Sequence, residues 1–84
     1  MNKTLASLKV VRRMLLRQAT PPVGIFVGGF DATPTMIGSR SPSGFTASLD
    51  DFVNDNWPGE AAVEFQVEVR PLPAGEELLI LWRV

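Results

Sequence analysis

Hydrophobic and polar residues alternate along one stretch of the chain, from residue 63 to residue 70. Because successive side chains of a β-strand point to opposite faces, this alternation predicts a strand with one buried and one solvated face. A segment rich in proline, glycine and glutamate follows at 71–77, and the apolar run at 78–82 predicts a second strand. Residues 61–84 are therefore predicted to form a β-hairpin.

A different period, with apolar residues three or four positions apart, runs through residues 4–18. On a helical wheel the apolar residues share one side, and the basic residues lie mainly on the other. The apolar side consists of Leu5, Leu8, Val11, Met14, Leu15 and Leu16. Thr4 is the expected N-cap, and the two prolines at 21–22 prevent continuation. We therefore predict an amphipathic helix at 4–18.

Glycine and proline are concentrated at 21–47, which contains five glycines and four prolines among apolar residues. This mixture predicts short strands at about 23–30, 35–38 and 44–47. The serine and two aspartates near the start of the next segment are typical of a helix N-cap and first turn. A short helix is therefore predicted at 48–55.

These elements form a single predicted domain, 1–84, of the α+β class and mainly β. We expect the N-terminal helix to pack on a small antiparallel sheet or partial barrel. A chain of 84 residues buries only about 60–65% of its unfolded surface, so we expect a marginally stable monomer that gains stability by association. The lack of cysteine, and hence of a disulfide framework, favours a protein that is not secreted and that functions in the cytoplasm or within a particle.

The composition limits the available chemistry, because the chain has no cysteine, histidine or tyrosine. Thiol nucleophiles, the usual zinc-ligand sets and common acid–base groups are therefore excluded. Asp50, Asp51 and Asp55 lie close together, but their spacing lacks the pattern of a calcium loop, and acids near a helix N-terminus are stabilising without a metal. The longest uncharged run, 18–30, is interrupted by two prolines and three glycines. We predict no catalytic residues, no metal, no cofactor and no membrane span.

Charge is distributed unevenly along the chain. Residues 1–17 carry five basic and no acidic side chains, whereas residues 18–84 carry three basic and nine acidic ones. The first segment also has the composition of a mitochondrial-type transit peptide, although we interpret it as part of the folded protein. Its basic side could contact nucleic acid or an anionic lipid surface, or be the solvated or protein-facing side of a packed helix. We favour the last interpretation, because the acidic remainder of the chain would repel phosphate.

Two segments, 52–54 and 69–80, resemble the closing part of SET-type lysine methyltransferases. The first reads Phe-Val-Asn, and the second contains the run Pro-Ala-Gly-Glu-Glu-Leu. Asp55 stands where that family usually has histidine, and Trp82 stands where its final tyrosine would be. The resemblance implies a strand–turn–strand arrangement at the end of the chain. We infer no enzymatic activity from it.

The five consecutive apolar residues at 78–82 require cover on both faces of their strand. We expect Trp82 and its same-face neighbours to share the core with the strand at 63–70. Leu79 and Leu81 then lie on the polar face, where a partner or the N-terminal helix covers them. If a partner does so, lysine at both positions should preserve the fold and abolish association.

The predicted interface residues are Leu79, Leu81 and Trp82, together with Arg13 and Arg17 on the helix. The lack of catalytic chemistry and the excess of apolar surface favour a non-enzymatic structural or assembly protein, a small subunit that binds other protein chains, including copies of itself, in a larger particle such as a virion. The alternative is a small inhibitory protein that binds a cellular enzyme or nucleic-acid machine through its acidic face. A carboxylate-based enzyme is a third and less favoured possibility.

Overall fold

The computed structural model describes residues 4–18, 22–29, 34–37, 42–60 and 62–84. Within these residues, two helices and five strands follow one another in the order β1 (Thr4–Ser7), α1 (Leu8–Arg17), β2 (Gly24–Gly28), β3 (Thr35–Ile37), α2 (Pro42–Asn56), β4 (Glu64–Pro71) and β5 (Glu77–Arg83). The strands form one open sheet in the order β1-β4-β5-β2-β3. The predicted class, α+β and mainly β, is confirmed.

The sheet is mixed, so the prediction of an antiparallel sheet is wrong for one pair of strands. β4 runs antiparallel to β1 and β5, and β2 runs antiparallel to β3, but β5 runs parallel to β2. A parallel pair needs a long crossover connection, and the chain between β2 and β5 provides one that contains β3, α2 and β4. No contiguous pattern in the sequence indicates this pairing.

The N-terminal helix is shorter than predicted, because Thr4–Ser7 forms strand β1. Helix α1 begins at Leu8, and its N-cap is Ser7, whose hydroxyl accepts a hydrogen bond of 3.2 Å from the backbone N–H of Val10. The preceding residues satisfy their backbone groups by pairing with β4. The prolines predicted to stop the helix include residue 21, which lies outside the described residues.

The strand predicted at 44–47 is wrong, because these residues belong to helix α2. Phe45, Leu49 and Val53 are spaced four residues apart and are all buried. This spacing places them on one helical face, directed toward the core. The strands predicted at 23–30 and 35–38 correspond to β2 and β3, which are shorter than predicted. Residues 30 and 38 of those predictions lie outside the described residues.

Both helices pack against the same face of the sheet, so α1 covers its own domain. The buried core between them consists of Ala6, Val11, Leu15, Ile25, Val27, Phe45, Leu49, Val53, Val63, Phe65, Val67, Leu79 and Leu81. Strands β1, β2, β4 and β5 each contribute at least one buried residue to this core, and the partly buried Ile37 of β3 packs against it. The opposite face of the sheet has no helix over it among the described residues.

Candidate protein-binding surface

Strand β5 lies at the centre of the sheet and carries apolar side chains on both faces. Leu81 pairs with Val67, and Leu79 pairs with Val69, so both leucines lie on the helix side. They are 0% and 3% exposed, respectively. The prediction that Leu79 and Leu81 face outward is therefore wrong, because the strands pair in the opposite parity from the one expected. As buried core residues, they cannot form the primary contact of an interface.

The other three apolar residues of β5 lie on the face that the helices leave uncovered. We call this surface the open face. It contains Leu5 and Ser7 from β1, Phe26 from β2, Met36 from β3, Glu64, Gln66, Glu68 and Arg70 from β4, and Leu78, Ile80 and Trp82 from β5. The prediction that Trp82 and its same-face neighbours share the core with β4 is therefore wrong. The structure places Trp82, a predicted interface residue, on the open face together with apolar residues of other strands.

An apolar row crosses the middle of the open face. Glu68 of β4 is in register with Ile80, which is in register with Phe26 and, through it, with Met36. Ile80 is 5% exposed although no described helix lies over it, whereas Met36 at the sheet edge is 67% exposed. The neighbouring side chains therefore shield the centre of the row, while its end remains accessible to a partner.

Glycine at position 24 makes room for apolar side chains on the open face. A Cβ atom built there would lie 3.2 Å from Leu78 Cδ2 and 3.9 Å from Phe26 Cε1. The first distance is shorter than ordinary van der Waals contact, so the leucine occupies space that a larger residue at 24 would need. The backbone of β2 at Gly24 and the Leu78 side chain of β5 are consequently packed closely together on the open face.

Trp82 is held in place by polar residues of β4. Its indole Nε1–H donates a hydrogen bond of 3.1 Å to Glu68 Oε1, and Arg70 Nη2 donates one of 2.6 Å to Glu68 Oε2. The glutamate side chain is only 15% exposed. Since both of its oxygens accept a hydrogen bond, the three residues form a connected network that fixes the orientation of the indole.

The two predicted interface arginines occupy a different surface. Arg13 and Arg17 line an open groove of about 570 Å³ between α1 and α2. The groove is also lined by Lys9, Arg12, Leu16, Thr46 and Asp50. Because the helices cover the opposite side of the sheet from the open face, the five predicted interface residues do not form one surface.

The groove is strongly basic. Arg12 Nη1 donates hydrogen bonds of 3.2 Å to both carboxylate oxygens of Asp50, which is the single acidic residue among the described residues that line the groove. Lys9, Arg13 and Arg17 are exposed and form no ion pair with any other described residue. Their uncompensated charges create a positive potential along the outer side of α1.

A second cluster of aromatic residues supports the fold. Trp57 lies at the end of α2, with its ring centroid 5.6 Å from that of Phe52 and 6.2 Å from that of Phe65. The guanidinium carbon of Arg83 is 4.7 Å from the Trp57 ring centroid, and Arg83 also forms an ion pair with Glu60. These contacts join the end of α2 to the sheet. The cluster is a structural feature that the sequence pattern did not indicate.

The described residues hold no group of three or more histidine, cysteine, aspartate or glutamate side chains placed to bind a metal ion. In the same part of the chain, no helix has the length and apolar character needed to cross a membrane. Asp50, one of the three clustered aspartates, is instead paired with Arg12.

Comparison of the chain with models of protein families, with curated proteins and with solved structures gives no match. Of the two segments that resemble SET-type methyltransferases, 52–54 lies near the C-terminal end of α2, and 69–80 contains the end of β4, the turn and the start of β5. The proposals that follow depend on the surfaces of the chain itself.

Proposed function

We propose that the protein is a non-enzymatic assembly subunit that binds further copies of itself through the open face of its sheet, within a larger particle such as a virion. One observation carries this proposal. The central strand β5 is apolar on both faces, and the two helices that the structure describes cover only one of them. The accessible apolar side chains of the other face are those that a second chain would cover.

Sheet strands that are apolar on both faces are characteristic of sheets covered on both sides. The open face has accessible apolar residues at both edges of the sheet, with Leu5 54% exposed and Met36 67% exposed. Exposed apolar surface rimmed by polar residues is typical of protein–protein contacts. Covering it would also stabilise a domain whose own core is limited by its short length.

The charges on β4 favour a second copy as the partner. Glu64 lies at one end of the open face and Arg70 at the other, and the arginine side chain is 55% exposed. If two copies pack face to face about a two-fold axis that crosses the strands, the glutamate of each copy lies near the arginine of the other. Two sheets in such a sandwich lie about 10 Å apart, with their apolar rows between them.

The polar residues of the chain suit a structural role better than catalysis. Asp50, Glu60 and Glu68 each form an ion pair with an arginine. These contacts hold the carboxylate oxygens in ion pairs within the fold. This supports the proposal of a binding protein over that of a carboxylate-based enzyme.

The mass of the purified protein across a concentration series tests this proposal. We expect the mass to increase from that of a monomer to at least that of a dimer at micromolar concentrations. The melting temperature should increase with protein concentration, because association stabilises the folded chain. A monomeric mass throughout the series, with a constant melting temperature, would contradict the proposal.

A further inference from the structure

We propose that the basic groove between α1 and α2 binds the acidic β4–β5 turn of a neighbouring copy. This inference rests on the proposed function, self-assembly, and supplies the second contact that a larger particle needs. A face-to-face contact about a two-fold axis is closed after two copies, so it forms a dimer and no more. Growth beyond the dimer requires a second contact through another part of the surface.

The groove is suited to an acidic and partly apolar segment. Its unpaired cations lie along one side of α1, and Leu16, which is 57% exposed, lies between Arg13 and Arg17 in the sequence. From Lys9 to Arg17 the helix rises by about 12 Å. This length matches the width of a two-stranded turn, in which the strands lie about 4.8 Å apart and side chains extend on either side.

The β4–β5 turn has complementary properties. Glu76 and Glu77 are exposed and form no ion pair with any other described residue. Pro73 and Ala74 beside them are also exposed and give the turn an apolar component that could contact Leu16. The turn therefore combines negative charge with apolar surface, as the groove combines positive charge with apolar surface.

The turn is also held in one conformation. The backbone N–H of Leu72 donates a hydrogen bond of 2.8 Å to the carbonyl of Glu76, and that of Gly75 donates one of 3.0 Å to the carbonyl of Leu72. Gly75 has a φ of +87°, a left-handed conformation that glycine adopts without strain. Because little ordering is needed on binding, such a segment can bind at a smaller entropic cost.

A protein segment is favoured over nucleic acid as the occupant. Residues 18–84 carry nine acidic and three basic side chains, which would oppose the approach of a phosphate backbone. The exposed Leu16 in the groove could pack against the apolar Pro73 and Ala74 of the turn, whereas a phosphate backbone offers no apolar group for it. The groove and the turn are distinct surfaces, so their contact is head-to-tail and produces rings or filaments.

Charge reversal tests this contact. Sedimentation velocity would compare the wild-type protein, Arg13→Glu/Arg17→Glu and Glu76→Lys/Glu77→Lys at about 0.05 M and about 0.5 M salt. We expect each double variant to form dimers normally but to need at least about a tenfold higher concentration to form larger species. An equal mixture of the two variants should recover the larger species, because each variant supplies the surface that the other has lost. High salt should weaken the larger species of the wild type.

Asp51→Lys/Asp55→Lys provides a control for net charge, since these aspartates are exposed on α2 and line neither surface. A wild-type protein that stops at the dimer would overturn the inference and leave the proposed function intact, whereas a wild-type monomer would contradict both. Larger species that persist in both variants, or that are lost in only one, would also overturn the inference. A single-stranded oligonucleotide that binds the wild type but not Arg13→Glu/Arg17→Glu, with unchanged assembly, would show that the groove binds nucleic acid instead.

Discussion

The double substitution Leu79→Lys/Leu81→Lys is expected to unfold the protein. Both side chains lie in the core beneath the helices, and Leu81 is 0% exposed. Truncating a buried leucine to alanine alone typically costs about 2–5 kcal/mol, and an unpaired ammonium in its place costs more. A domain of this size has a total stability near the low end of about 5–15 kcal/mol. Circular dichroism and a thermal melt should therefore show no folded population.

Leu78→Lys is the matched control, because residue 78 is in the same strand but on the open face, where it is partly exposed. We expect this variant to keep native-like circular dichroism and a cooperative melt. If Leu79→Lys/Leu81→Lys kept the native fold while Leu78→Lys lost it, the parity of β5 would be the reverse of the one described. That outcome would return Leu79 and Leu81 to the surface.

Leu78→Lys combined with Met36→Lys should preserve the fold and abolish association through the open face. The two residues lie on neighbouring parts of this face, and Met36 is 67% exposed. A contact that buries both lysines in each copy would have to remove several charges from water without partners. We expect the dimer dissociation constant to increase by at least about 100-fold, or about 2.7 kcal/mol. Sedimentation equilibrium on the two proteins measures this change.

Val69→Lys is the corresponding control for association. Val69 is a strand residue with 47% exposure, but it lies on the helix side of the sheet, in register with Leu79. Lysine at this position should leave both the fold and the mass distribution unchanged. An unchanged dimer in Leu78→Lys/Met36→Lys, or equal losses in this variant and the control, would show that the open face is not the interface.

The comparison of β4 with β5 shows what the sequence could predict about the sheet. In β4 only one row is apolar, so the alternation from Val63 to Val69 correctly identified the buried face up to Val67. In β5 the side chains of both faces are apolar, so the sequence pattern does not show which face is buried. The register with β4 and the parallel pairing with β2 determine which face of β5 is buried. Both depend on contacts between residues distant in sequence.

The predicted helix boundaries were wrong for related reasons. The segment Thr4–Ser7 fits the helical wheel of the residues after it, but its pairing with β4 places it in the sheet. In α2 the apolar residues Phe45, Leu49 and Val53 have helical spacing. Glycine and proline content had instead suggested a strand that ends at residue 47 and a helix that begins at residue 48. Local composition was therefore overridden in the first case by strand pairing and in the second by the burial of one helical face.

The candidate surfaces were only partly predictable. Trp82 was predicted as an interface residue, but its strand face was expected to be core. Its neighbours Phe26 and Met36 were not identified, because the crossover that brings β2 beside β5 leaves no local signal. Arg13 and Arg17 were predicted as contacts on the basis of charge, and the structure adds that they line a groove formed with α2. That groove depends on the packing of two helices separated by two strands in the sequence.

Protection of Trp82 from a soluble quencher is the most direct test of the account. A Trp57→Phe variant leaves Trp82 as the single tryptophan, and phenylalanine keeps an aromatic ring beside Phe52 and Phe65. Circular dichroism should first show that the variant is folded. Acrylamide quenching and mass are then measured on the same samples across a concentration series. We predict that quenching decreases as the monomer becomes a dimer, because a second copy covers the open face. Formation of the dimer with unchanged quenching would contradict this account.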